Sequence, residues 1–169
     1  MGLMSFIKEA GEKLFGKNDP EKAAAEVATA PDPAAAQAKL DAANAQAAEA
    51  IEKYIGAQGL NVDGLQVAFD GTTCQATVSG CAPDQATKEK VLLCCGNVAG
   101  VTGVNDMLTV TQPADESRYH TVVRGDTLSG IAKAMYGNAN AYMKIFEANK
   151  PMLSHPDKIY PGQVLRIPA

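Results

Sequence analysis

Residues 119–168, YHTVVRGDTLSGIAKAMYGNANAYMKIFEANKPMLSHPDKIYPGQVLRIP, carry two extended patterns at their ends and two helical ones between them. His120–Val123 and Gln163–Ile167 read as strands, and Thr127–Tyr136 and Ala141–Asn149 as helices, giving the order strand, helix, helix, strand. Asp126 stands just before the first helix, where a carboxylate caps free N–H groups. A unit of about 50 residues is near the lower limit for independent folding, so its core must be efficient or a neighbour must help.

Upstream, across a short linker at residues 113–118, the pattern changes. Leu65–Phe69 and Cys74–Ser79 alternate with period two around Asp70-Gly71, which predicts a β-hairpin. A helix follows over Asp84–Cys95, with Pro83 before it and Gly96 after it, and Val104–Val110 reads as a closing strand. Ahead of the hairpin, Asp32-Pro33 supplies a cap and a first-turn proline. Leu40, Ala43, Ala47, Ile51, Tyr54 and Ile55 then share one helical face, with Gly56 or Gly59 as the stop. Residues 34–112 therefore predict helix, strand, strand, helix, strand, with two helices covering one face of a three-stranded sheet.

Of the 29 alanines, 15 lie between Ala23 and Ala50. That excess divides into a mobile Ala/Pro-rich linker at residues 18–33 and an extended first helix after Asp32. In residues 1–17, Leu3, Phe6, Ile7, Ala10 and Leu14 follow the spacing of one helical face, and Gly11 interrupts it. The chain thus reads as α+β: two small domains, αββαβ and βααβ, preceded by a short N-terminal amphipathic helix packing on the first.

Charge excludes one class of function. Residues 1–118 hold 9 Lys/Arg against 16 Asp/Glu and residues 119–169 hold 6 against 3, so the halves are of opposite sign and neither has the dense basic surface of a nucleic-acid binder. The N-terminal stretch lacks the apolar run and cleavage site of a secretory signal. Phe6 stands where myristoylation needs Ser or Thr. The expectation is a cytoplasmic monomer with Cys74, Cys81, Cys94 and Cys95 in a reducing compartment.

These residues carry a resemblance. YHTVVRGDTLSGIA, YGNANAYMKIFEANK and IYPGQVLRIP resemble a LysM domain along its whole length, and Val67–Gly71, Val78–Gly80 and Gly100–Asp106 resemble a BON domain. BON followed by LysM behind MGLMSFIKEAGEKLFG is similar to the small cytoplasmic potassium-binding BON–LysM proteins of bacteria. The resemblance implies a K⁺ sensor or buffer that compacts its two domains on binding. It places the ion on the backbone carbonyls of Ile7, Ala10, Glu12, Gly96, Val98 and Val101. Such a site leaves no side-chain motif, because K⁺ is held by carbonyl dipoles that replace its hydration shell. The residues by themselves favour an ordinary helix cap and an ordinary helix-to-strand turn, and only the resemblance reverses that.

Two alternatives follow from the same likeness. LysM domains bind N-acetylglucosamine polymers such as peptidoglycan, which would use Gly125, Asp126, Thr127, Leu128, Ile159, Pro161 and Gly162 here. BON domains of envelope proteins are associated with phospholipid. Other chemistry lacks its residues. The cysteine spacings do not suit a zinc site, although Cys81 and either Cys94 or Cys95 are candidates for an oxidative bridge. His120 and His155 both fall in the second domain, away from every cysteine, and Gly11–Gly16 is not followed by the hydroxyl of a phosphate loop. No catalytic residue is expected.

Overall fold

The structure, a computed structural model, describes residues 2–169. Its first domain is a four-stranded sheet, β1 (Leu3–Ser5), β2 (Asp63–Asp70), β3 (Gln75–Asp84) and β4 (Gly103–Gln112), in the order β1-β4-β3-β2. Helices α2 (Pro33–Ala57) and α3 (Gln85–Gly96) pack against it, and a short α1 (Pro20–Val27) packs on α2. The second domain pairs β5 (Arg118–Thr121) with β6 (Val164–Ile167) and packs α4 (Leu128–Tyr136), a 3-10 turn at Ala139–Ala141 and α5 (Tyr142–Ala148) on them.

Local chemistry explains the long helix. Asp32 accepts hydrogen bonds from the N–H groups of Ala34 and Ala35, both at 3.2 Å, and Pro33 fills the first turn. The buried face is Ala36, Leu40, Ala43, Ala47, Ile51 and Ile55. Its two isoleucines are fully buried, each stabilising the fold by roughly 1.5–3 kcal/mol. They meet Val67, Phe69, Ala76, Val78, Val91 and Leu108 in one core. β3 and β4 run parallel, Gln75 opposite Gly103 to Asp84 opposite Gln112, with α3 as the crossover.

The N-terminal segment differs from expectation. Instead of a helix, Leu3, Met4 and Ser5 pair antiparallel with Asn105, Val104 and Gly103, so the three-stranded sheet gains a fourth strand. Of the apolar residues at helical spacing, Phe6 and Leu14 face the core and Leu3 and Ile7 do not. Leu3 and Ile7 are 57% and 49% exposed, while Met4, Phe6, Leu14 and Phe15 pack on the core. An isolated helix this short, containing Gly11, is marginal, and the open edge of β4 offers its backbone better hydrogen bonds. Residues 18–33 likewise hold a helix where a mobile linker was expected. Asp19 caps α1 by accepting from Glu21 N–H at 3.0 Å, and Pro20 is its buried first residue.

In the second domain α4 starts at Leu128 and is capped by Thr127, not Asp126, through a 3.0 Å bond from Gly130 N–H. Asp126 instead braces the loop before it, accepting from Val123 N–H at 3.0 Å and meeting His120 Nε2 at 2.8 Å. Backbone and imidazole hydrogen bonds hold its carboxyl below the usual range.

Candidate functional site

Two segments distant in sequence lie side by side at the end of α3. Residues 6–12 leave β1 as an irregular turn, and residues 97–102 connect α3 to β4. Backbone hydrogen bonds zip them: Phe6 N–H to Thr102 O at 2.8 Å, Gly100 N–H to Lys8 O at 2.6 Å, Glu12 N–H to Asn97 O and Ala99 N–H to Glu12 O, both at 2.8 Å. Glu12 and Val98 form a parallel bridge at the far end.

Glycine makes that approach possible at two points. Gly11 has φ +114°, and a Cβ there would lie 1.9 Å from Asn97 O. A Cβ on Gly96 would lie 2.0 Å from the Phe6 ring, which covers the end of α3. Both are conditions for contact between the segments.

The carbonyls of Ile7, Glu12 and Val98 each accept one main-chain hydrogen bond, from Ala10, Ala99 and Val101 N–H respectively, leaving a second lone pair on each oxygen. Among the described residues, the carbonyls of Ala10, Gly96 and Val101 accept no hydrogen bond outside regular helix and strand pairing. Gly96 is the last residue of α3, where the helix dipole presents its negative end to a cation. Carbonyl oxygens in irregular turns at such a point suit a weakly hydrated monovalent cation better than a transition metal. Among the described residues no group of three His, Cys, Asp or Glu side chains is placed to hold a metal.

The second domain leans on this region. A Cβ on Gly162 would lie 2.6 Å from Ala10 Cβ and 3.3 Å from Ile7 Cβ. Asn97 joins the domains, its Nδ2 donating to Val164 O and its Oδ1 accepting from Val164 N–H, both at 2.9 Å. Below it, Arg166 Nε donates to Glu89 Oε2 at 2.5 Å. Burial pushes Tyr54 and Tyr160 up to about 12, with the negative charge of Glu12 adding to both.

Asn97 and Phe6 escaped sequence reasoning. An asparagine after the last helical residue signals only a helix end, and the spacing that marks Phe6 as core-facing does not show that its ring seats on Gly96. Of the alternative glycan residues, Gly125, with φ +93°, Asp126 and Thr127 lie in the loop before α4, and Leu128 is the buried first residue of α4. Gly162, on the second loop with Ile159 and Pro161, is buried against the N-terminal segment.

A family model for the BON domain matches residues 42–112, and one for the LysM domain matches residues 120–168. An "Uncharacterized protein" of Deinococcus radiodurans is 43% identical over 82 residues, covering 42% of this chain and 32% of that protein. A protein of Escherichia coli O6:H1 named "Potassium binding protein Kbp" is 44% identical over 172 aligned residues, covering 99% of each chain. On that identity over nearly its whole length, and with BON and LysM domains in the same order as its two sheets, the chain belongs to the BON–LysM family of that Escherichia coli protein.

Proposed function

We propose that this chain binds K⁺ through main-chain carbonyl oxygens of Ile7, Ala10, Glu12, Gly96, Val98 and Val101, and acts as an ion sensor or buffer and not as an enzyme. The observation that carries this reading is the zipper of residues 6–12 against 97–102, which sets five of the six residues in two adjoining turns and the sixth, Gly96, at the end of α3 beside them. The relative named for potassium binding spans both turns.

Carbonyl dipoles replace the water around K⁺ without introducing a fixed negative charge. Ion binding then ties the first turn of the chain to the end of α3, so its free energy adds to the stability of the fold. We extend the reading to compaction. Gly162 rests on Ala10 and Ile7, so ordering that turn favours docking of the LysM domain. We place the protein in the cytoplasm, in keeping with four free cysteines. No described helix is long and apolar enough to cross a membrane.

Calorimetric titration with KCl, against NaCl at matched ionic strength, tests the reading. Saturable heat with KCl alone is expected. Equal response to both salts overturns it, and saturable heat with N-acetylglucosamine oligomers in its place would assign the protein to glycan binding.

A further inference from the structure

β6 has one edge paired with β5 and one free edge, on which the main-chain groups of Val164 and Arg166 point outward. Two asparagine carboxamides complete that edge as a strand would. Asn149, within the LysM domain, donates from Nδ2 to Arg166 O and accepts from Arg166 N–H, both at 2.8 Å. Asn97, from the BON domain, makes the same pair of bonds to Val164 at 2.9 Å. The LysM sheet is therefore finished by a residue of the other domain.

Asn97 is also held through its main chain on both sides. Its N–H donates to Leu93 O at 2.9 Å, ending α3, and its carbonyl accepts from Glu12 N–H at 2.8 Å. Its neighbours Gly96 and Val98 are two of the proposed ion ligands. An ion drawing on both carbonyls fixes the peptide planes around Asn97 and so fixes where its carboxamide begins.

We infer that Asn97 is the positioning residue that couples the ion site to the LysM domain, its main chain belonging to the site and its side chain to the edge of β6. This inference rests on the K⁺ reading above. Coupling is reciprocal: whatever K⁺ adds to docking, docking adds to K⁺ affinity. Asn97 itself contributes no oxygen to the ion in this scheme.

The full-length protein, Asn97→Ala and Asn97→Asp are titrated with KCl and NaCl, following heat and amide hydrogen exchange at Leu165 and Val101. Asp keeps the acceptor for Val164 N–H but loses the donor and sets a carboxylate against a carbonyl. In the wild type, KCl slows exchange at both amides. In Asn97→Ala, Val101 should still respond while the K⁺ effect at Leu165 disappears, with affinity lowered roughly tenfold; Asn97→Asp should do the same. A purely structural role predicts equal melting loss in both salts, with the K⁺ effect at Leu165 intact, and that result overturns the inference. Wild-type affinity retained in both variants also overturns it. If the wild type itself gives no K⁺ response, the function reading fails and the inference falls with it.

Discussion

Glu89 and Arg166 form an ion pair across the two domains, with the Glu89 side chain 1% and the Arg166 side chain 13% exposed. Glu89 Oε1 also accepts from Ser117 N–H at 2.8 Å and Gln85 Nε2 at 3.0 Å. Burial pushes this carboxyl up, but the hydrogen bonds from Arg166, Ser117 and Gln85 outweigh it and hold the group below its ordinary range. A carboxyl lowered on folding contributes stability that is present above its unfolded value of about 4.3 and lost as pH falls through the folded one. Melting temperature should therefore fall in acid below about pH 4.3, and Glu89→Gln should flatten that slope. At neutral pH the substitution removes one partner of a buried pair and should cost about 3–5 kcal/mol by chemical denaturation. Identical pH profiles for the two proteins would remove Glu89 from this role.

Gly11→Ala probes the zipper directly. The added methyl meets Asn97 O at a distance no Cβ tolerates, on a backbone whose φ already disfavours a side chain. The loss expected is about 1–3 kcal/mol, from backbone strain and separation of the segments. Exchange at Ala99 and Glu12, whose amides cross the zipper, should accelerate well before the core amides of β3. Uniform acceleration would show that the two turns are not a separate unit.

The contrast between Ile51 and Ile7 shows what was legible in the sequence. Ile51 belongs to a helix with its own cap, proline and repeated apolar face, so its burial follows from local pattern. Ile7 sits in a segment whose conformation is set by the free edge of β4, about 100 residues away, and no local pattern reports that edge. The same holds for the site. The glycines at 11 and 96 mark two turns as unusual, but the contact joining them depends on Phe6 seated on Gly96 and on the main chain of Glu12 reaching that of Asn97. Those are tertiary events with ordinary local signatures.

Phe6→Ala tests the seat on Gly96. The ring covers the helix end and is partly buried in the BON core, so truncation should cost about 2–3 kcal/mol, somewhat less than for a fully buried phenylalanine. Because β1 is only three residues long, its pairing with Gly103–Asn105 should fray first. Faster exchange at Asp106, whose N–H donates to Gly2 O at 3.1 Å, would report it. Unchanged protection there would mean that β1 holds without its anchor.

The cysteines separate by environment, which labelling can read. Cys74, Cys94 and Cys95 are buried, and desolvation lifts all three thiols, Cys94 to about 12. Cys81 is partly exposed near the end of β3, and the hydroxyl of Thr111, 3.5 Å from its sulfur, lowers its thiol from the ordinary value. The nucleophile is the thiolate, so reactivity follows both access and ionisation. Brief treatment of the native protein with iodoacetamide at pH 8 should give a single adduct at Cys81 by mass spectrometry, and denatured protein should give four. Thr111→Val should slow the native reaction, because removing the hydroxyl takes away the hydrogen bond that favours the thiolate. Early labelling at Cys94 or Cys95 would instead show α3 opening from the sheet on the timescale of the reaction.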